Sequence, residues 1–203
     1  MTKYIDVAII GGGISGLSAA VYTAEAGLKT MVFDTGKSQI KPISTVWNFP
    51  GIPEGISGQD LLAKMKEQML SMGAEYIEAS VRELKQKEEA ESRFLLEVSS
   101  KDKEVDEVEE ISAKYVIVAS NVHLKPLQDM GVETEVSPAV PSGKISRVVG
   151  GSWNGETKIP GLYVAGLLSG ISTQSIIAAG QGTQVAMDII SLEKGKAHVW
   201  HDK

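Results

Sequence analysis

The sequence predicts an α/β fold: a three-layer domain with a central parallel sheet and a three-stranded antiparallel β-meander. Three observations carry this. An apolar run, Tyr4-Ile5-Asp6-Val7-Ala8-Ile9-Ile10, leads straight into glycines and then into a helical pattern. Further short apolar runs recur behind helical segments, as parallel strands do. Between residues 80 and 114, three stretches alternate in the manner of half-buried strands.

The glycines are Gly11-Gly12-Gly13-Ile14-Ser15-Gly16, a G-x-G-x-x-G between a strand and a helix. That is the dinucleotide-binding signature of a Rossmann-like, FAD/NAD(P)-binding fold. Gly11 permits the tight turn, Gly13 lets backbone approach a pyrophosphate, and Gly16 lets the helix lie close to the strand. The free N–H groups of Ile14 and Ser15 at the helix start face the negative charge.

The elements follow in order. A helix over 14–26 has Ala19, Ala20, Ala24 and Ala26 for close packing, and Gly27 stops it. Residues 29–34 read as the second parallel strand. Asp34 ends that strand 23 residues past Gly11, where an acidic side chain accepts hydrogen bonds from an adenosine ribose, with Thr35 beside it. Residues 35–56 hold three prolines and three glycines, so a long functional loop is expected. A helix follows, with Ser57 and Asp60 spaced as a capping box, a stripe of Leu61, Leu62, Met65, Met69 and Met72, and Gly73 at its end. Residues 75–79 make a short parallel strand. The stretches 81–84, 94–98 and 105–111 make an exposed meander, and 115–119 returns as a buried parallel strand. Residues 121–157 read as irregular, with weak strand character near 145–149. The segment 161–166 is the last strand, 173–192 the last helix, and the tail from Gly195 is expected to fray.

Composition narrows the function. Hydrophobic content of 42% is ample for one core across residues 1–203, read as a single domain. No apolar run approaches the ~20 residues that span a bilayer, and the first strand starts too early for a cleavable leader, so a soluble, cytoplasmic protein is expected. Net charge is −6, and residues 83–110 alone hold eleven acidic and five basic side chains, which makes −6; the rest balances. The acidity is a local surface, and no basic patch points to nucleic acid. There is no cysteine, hence no disulfide, thiolate metal site or cysteine redox centre in this sequence.

Five segments together resemble the thioredoxin reductase family: residues 11–16 with Asp34; Asn48-Phe49-Pro50-Gly51; Val116-Ile117-Val118-Ala119; Ile159-Pro160-Gly161-Leu162-Tyr163-Val164-Ala165-Gly166; and the helix opening Gln174-Ser175-Ile176-Ile177-Ala178-Ala179-Gly180-Gln181-Gly182. The nearer resemblance is to small flavoproteins related to that family that keep the FAD half alone. It implies FAD as cofactor and an oxidoreductase whose flavin carries the redox chemistry. Asn48, Gly166 and Leu167 would lie at the flavin, and Gln174 and Ser175 would aim a helix N-terminus at its N1/O2 edge. A homodimer is implied as well. Electrons would come from NAD(P)H or from a redox partner protein. The opening motif alone leaves NAD in place of FAD; the 48–51 loop, the meander and the 161–166 segment favour FAD.

The chain departs from that family in four ways. Only 38 residues separate the strand at 115–119, with its following Ser120, from Ile159, too few for an inserted NADPH domain. The CxxC is absent, which removes the usual route of thioredoxin reduction. Leu167 stands where the family has an aspartate that hydrogen-bonds the ribityl chain. Asn121 stands where it has a glycine, and it would have to supply a left-handed turn. The alternative to an enzyme is a non-catalytic flavin-binding module acting through a partner, and no side chain stands out as an acid, base or nucleophile. His198 and His201 read as exposed tail residues rather than metal ligands, His123 as a loop residue, and Lys37 as a surface lysine within reach of a phosphate. Trp47 and Trp153 either cover the cofactor or fill core.

Overall fold

The computed structural model describes residues 2–89, 91–100 and 108–200. Five strands form the central sheet in the order β3 (Glu75–Gln86), β2 (Thr30–Asp34), β1 (Lys3–Ile10), β5 (Val108–Val118) and β8 (Leu162–Val164), all mutually parallel. One face carries α1 (Ile14–Glu25), α2 (Gly58–Ser71) and α4 (Ser175–Lys194). Their buried stripes meet Val7, Ile9, Val32, Ile117 and Tyr163 of the sheet in one apolar cluster, to which α4 adds Val185, Ala186, Ile189 and Ile190. Strands buried on both faces read as continuous apolar runs, which is why 5–10 and 115–119 were legible.

On the other face β4 (Phe94–Ser100) pairs antiparallel with both β3 and β5 as the expected three-stranded meander, and the structure corrects only the bounds of its outer strands. The segments at 75–79 and 81–84 are one strand. β3 runs parallel to β2 through Asp34↔Glu78, then shifts register between Val81 and Glu83 while pairing antiparallel with β4. Likewise the third meander strand and the inner parallel strand are both β5, which pairs with β4 through Phe94↔Ala113 and with β1 through Ile5↔Ala113. The expected start of that third strand, at 105–107, lies outside the described residues. β1, β2, β3, β4 and β5 thus close a ring of ladders around a second core of Met31, Phe33, Val81, Leu84, Phe94, Leu96, Val98 and Ile111. The meander is exposed on its outer face only; a bulge with its added twist lets a single strand serve both sheets.

The segment 121–157 is more ordered than its composition suggests. It holds α3 (Lys125–Asp129), with Pro126 in its first turn, and an antiparallel ribbon of β6 (Thr134–Val136) and β7 (Ser146–Val148). Asn121 does not take a left-handed conformation. Its Oδ1 instead accepts a hydrogen bond from the Ser146 N–H at 2.7 Å, pinning β7, and among the described residues it is His123 that takes a positive φ without being glycine, at 61°. The tail is docked rather than frayed. Trp200 meets Tyr22 edge-on at 5.0 Å, and the His198 imidazole, 11% exposed, lies 3.8 Å from Glu25. His201 lies outside the described residues. Among the described residues no helix is long and apolar enough to cross a membrane.

Candidate functional site

The sheet ends at a cleft of about 290 Å³ framed by the β1–α1 turn, the loop after β2, the segment after β5 and the start of α4. The glycine motif builds its floor. Gly11 holds φ at +113°, and a Cβ there would press within 2.9 Å of Ala119. At Gly16 a Cβ would overlap the Gly11 carbonyl oxygen, so α1 can start where it does only with glycine. Gly13 opens to the cleft, where an added Cβ would meet only Ser38 Oγ at 3.4 Å.

Two helix N-termini converge on this space. α1 begins after Gly13 and α4 after Gln174; neither has a side-chain cap or an acidic residue in its first turn. The first backbone N–H groups of both helices are therefore left for an anion, with both dipoles adding positive potential. The helices can lie together because Gly182 faces Ser15; a Cβ at Gly182 would overlap the Ser15 carbonyl oxygen.

Of the residues expected at the site, Gly11, Gly13, Ile14, Ser15, Asp34, Thr35, Gly166, Leu167, Gln174 and Ser175 line the cleft. Two do not. Gly16 lies beneath the floor as a packing residue, and Asn48 stands outside the lining. Asn48 bears on the site through Gln174, whose Oε1 accepts from Asn48 Nδ2 at 2.7 Å. Lys37 is also in the lining, and the long loop contributes Ser38, Gln39, Ile40 and Ile43. Trp47 and Trp153 are 70% and 50% exposed, so neither fills core, and neither lines the cleft.

Sequence reasoning passed over Gln181. It is fully buried; its Oε1 accepts from the Gly166 N–H at 2.7 Å and its Nε2 donates to the Trp153 carbonyl at 3.1 Å. This amide holds the Gly166 turn, with φ +70°, at the cleft rim. Leu167 follows in a 3₁₀ turn, Gly166–Ser169, and presents a half-buried apolar side chain. The signal available was position: two turns into α4, one residue before the packing glycine.

At the far end Asp34 is 8% exposed, and its Oδ2 accepts from the Gly36 N–H at 3.0 Å and the Tyr76 hydroxyl at 2.7 Å. Burial, and then the bond to this carboxylate, push the Tyr76 phenol well above its ordinary pKa, so it stays a donor. Among the described residues no cluster of three or more His, Asp or Glu could hold a metal ion.

Comparison with known proteins agrees with this architecture. The model of the pyridine nucleotide-disulphide oxidoreductase family matches residues 5–140. Thioredoxin reductase of Aquifex aeolicus is 42% identical over 81 residues, 39% of this chain and 25% of that protein. NADPH-dependent thioredoxin reductase 3 of Arabidopsis thaliana is 41% identical over 85 residues, 39% of this chain and 16% of that protein. The matched region thus spans a quarter or less of the length of these curated relatives. Among solved structures, a thioredoxin reductase from Gloeobacter violaceus superposes with a TM-score of 0.71 at 17% identity, covering 100% of both chains. The atypical thioredoxin reductase TRi of Desulfovibrio vulgaris Hildenborough gives 0.70 at 18%, covering 96% of this chain and 100% of its own. At such identities the superpositions speak for the fold. The family match, over well more than half of the chain and on the strands and glycine turn that build the cleft, shows that this protein belongs to the pyridine nucleotide-disulphide oxidoreductase family.

Proposed function

We propose that the chain is a single FAD-binding domain, and that it acts as an oxidoreductase whose flavin exchanges electrons with a nicotinamide nucleotide or a redox partner protein. The observation that supports this best is the convergence of two uncapped helix N-termini on one cleft that ends at a buried carboxylate. A dinucleotide needs that donor set: N–H groups for the pyrophosphate at Gly13, Ile14 and Ser15, and an acceptor for the ribose at Asp34. The second N-terminus, at Gln174 and Ser175, suits the edge of an isoalloxazine that gains negative charge on reduction. An NAD-only site has no call for it. The residues present fit the group, with one exchange: at Leu167 an apolar contact replaces a hydrogen bond.

FAD supplies the electron transfer when bound. The protein's part is positional. Gln181 holds the Gly166 turn, Asn48 braces Gln174, and Ile14, Ile40 and Ile43 give the lining apolar surface. With no cysteine in the sequence, a thiol relay has no residues here. That same absence favours a second reading, a flavin-binding module that is not itself catalytic. The visible spectrum of the purified protein, followed by anaerobic NADPH, tests both. A yellow protein that bleaches supports the oxidoreductase, and a yellow protein indifferent to NADH and NADPH supports the module or a protein donor. A colourless protein that FAD neither colours nor stabilises overturns FAD binding.

A further inference from the structure

We propose that Tyr76 is a positioning residue of the dinucleotide site, locking the Asp34 carboxylate so that Oδ1 meets the 2′-hydroxyl of the adenosine ribose. The inference rests on the FAD reading above and adds a determinant from β3, an element outside the glycine motif.

Three observations carry it. Asp34 at the end of β2 has two torsions to fix, and Tyr76 fixes them through a 2.7 Å bond to Oδ2, seconded by the Gly36 N–H at 3.0 Å on the same oxygen. Both bonds fall on Oδ2, and Asp34 lines the cleft. Next, the pair is packed. A Cβ at Gly12 would stand 2.9 Å from Asp34 Cβ and Cγ and 2.9 Å from Tyr76 Cε2, so carboxylate and ring fill the space above the middle of the glycine motif. In a general G-x-G-x-x-G that position is free to vary; here a larger residue would push the pair aside. Finally, the ring carries a cation on its face, since Lys66 Nζ of α2 sits 3.6 Å from the Tyr76 centroid.

A carboxylate with one oxygen immobilised offers its other oxygen at a set angle. A ribose hydroxyl then bonds it without first freezing the side chain, and that saving goes only to a ligand that carries the hydroxyl. The clamp should therefore be read in the difference between two ligands.

The experiment compares FAD with FAD bearing 2′-deoxyadenosine, by fluorescence titration of the apoprotein, in wild type, Tyr76→Phe, Asp34→Ala and the double variant. Wild type should favour FAD by about tenfold or more, the size of a hydrogen bond to a charged acceptor. Tyr76→Phe should cut the preference to about threefold or less. The double variant should show the preference of Asp34→Ala alone, because the tyrosine acts through the aspartate. Tyr76→Phe keeps the ring, so a ring that only fills space would leave the preference unchanged, which overturns the clamp alone. A wild type that binds neither dinucleotide overturns the reading of the site and the clamp with it. Melting of each apoprotein checks that Tyr76→Phe stays folded.

Discussion

Asn48 and Gln174, 126 positions apart in sequence, are joined side chain to side chain at 2.7 Å, and this bond ties the long loop after β2 to the first turn of α4. Both residues are exposed, so water competes and the bond is worth about 0.5 kcal/mol to global stability. Its larger effect is local. Asn48→Ala should speed proteolytic cutting between residues 36 and 56 several-fold while leaving the melting temperature nearly unchanged. The same gain in Gln174→Ala, and no further gain in the double variant, would show that the pair acts as one tie.

Gly182 and Gly180 lie two residues apart in α4 and should respond in opposite ways to alanine. At Gly182 the new methyl would overlap the Ser15 carbonyl oxygen, so α1 and α4 must part, at a cost of about 3 kcal/mol. At Gly180 no atom lies within 4 Å, and alanine should stabilise the helix by about 1 kcal/mol. Urea denaturation of the two variants measures both, and equal losses would refute the close packing of the helices.

Gln181→Leu keeps the volume and removes the acceptor from the buried Gly166 N–H and the donor from the Trp153 carbonyl. An unsatisfied buried group costs about 1–3 kcal/mol, so chemical denaturation should show a loss of that order. FAD retention should fall further than in Gln181→Glu, which keeps an acceptor for Gly166.

The acid limit of stability should depend on Tyr115. Burial raises the pKa of Glu193, but bonds from Tyr115 and Lys114 outweigh it and hold the carboxyl below its ordinary range. A depressed carboxylate contributes stability above its unfolded pKa, and this is lost as pH falls through the folded value. Tyr115→Phe should therefore cost about 1 kcal/mol at pH 7. It should also flatten the decline below about pH 4.5, the ordinary carboxylate value. Denaturation midpoints from pH 7 to 3 would show this, and parallel wild-type and variant curves would contradict it.

What the sequence disclosed follows from how narrowly physics limits each choice. Gly11 and Gly16 were legible because a Cβ at either place has nowhere to go, and the Ser57–Asp60 cap because few residues can accept the Asp60 N–H, here at 3.0 Å. The merging of 75–79 with 81–84 was hidden, since a bulge leaves no residue type as its mark. Asn121 was misread for a related reason: asparagine suits a left-handed turn and a side-chain acceptor equally, and the chain uses the acceptor. Gln181 and Tyr76 are ordinary residues on ordinary elements, and only the partners that folding brings to them give them a role. The tail, polar in composition, was taken for a frayed end because contacts made only on folding, Trp200 on Tyr22 and His198 beside Glu25 and Ser191, set its course.

Because β3 and β5 each belong to two ladders, β4 cannot detach without opening both of its edges. Amides of residues 94–99 and 108–113 should then exchange with solvent only when the whole molecule opens, as one cooperative unit with the strands that frame the cleft. The crossing that lies farthest from the chemistry in sequence is a buttress of the ligand cleft. Engineering on this side has its freedom just past the end of β3, at the exposed residues 88 and 89, where a change leaves that buttress intact.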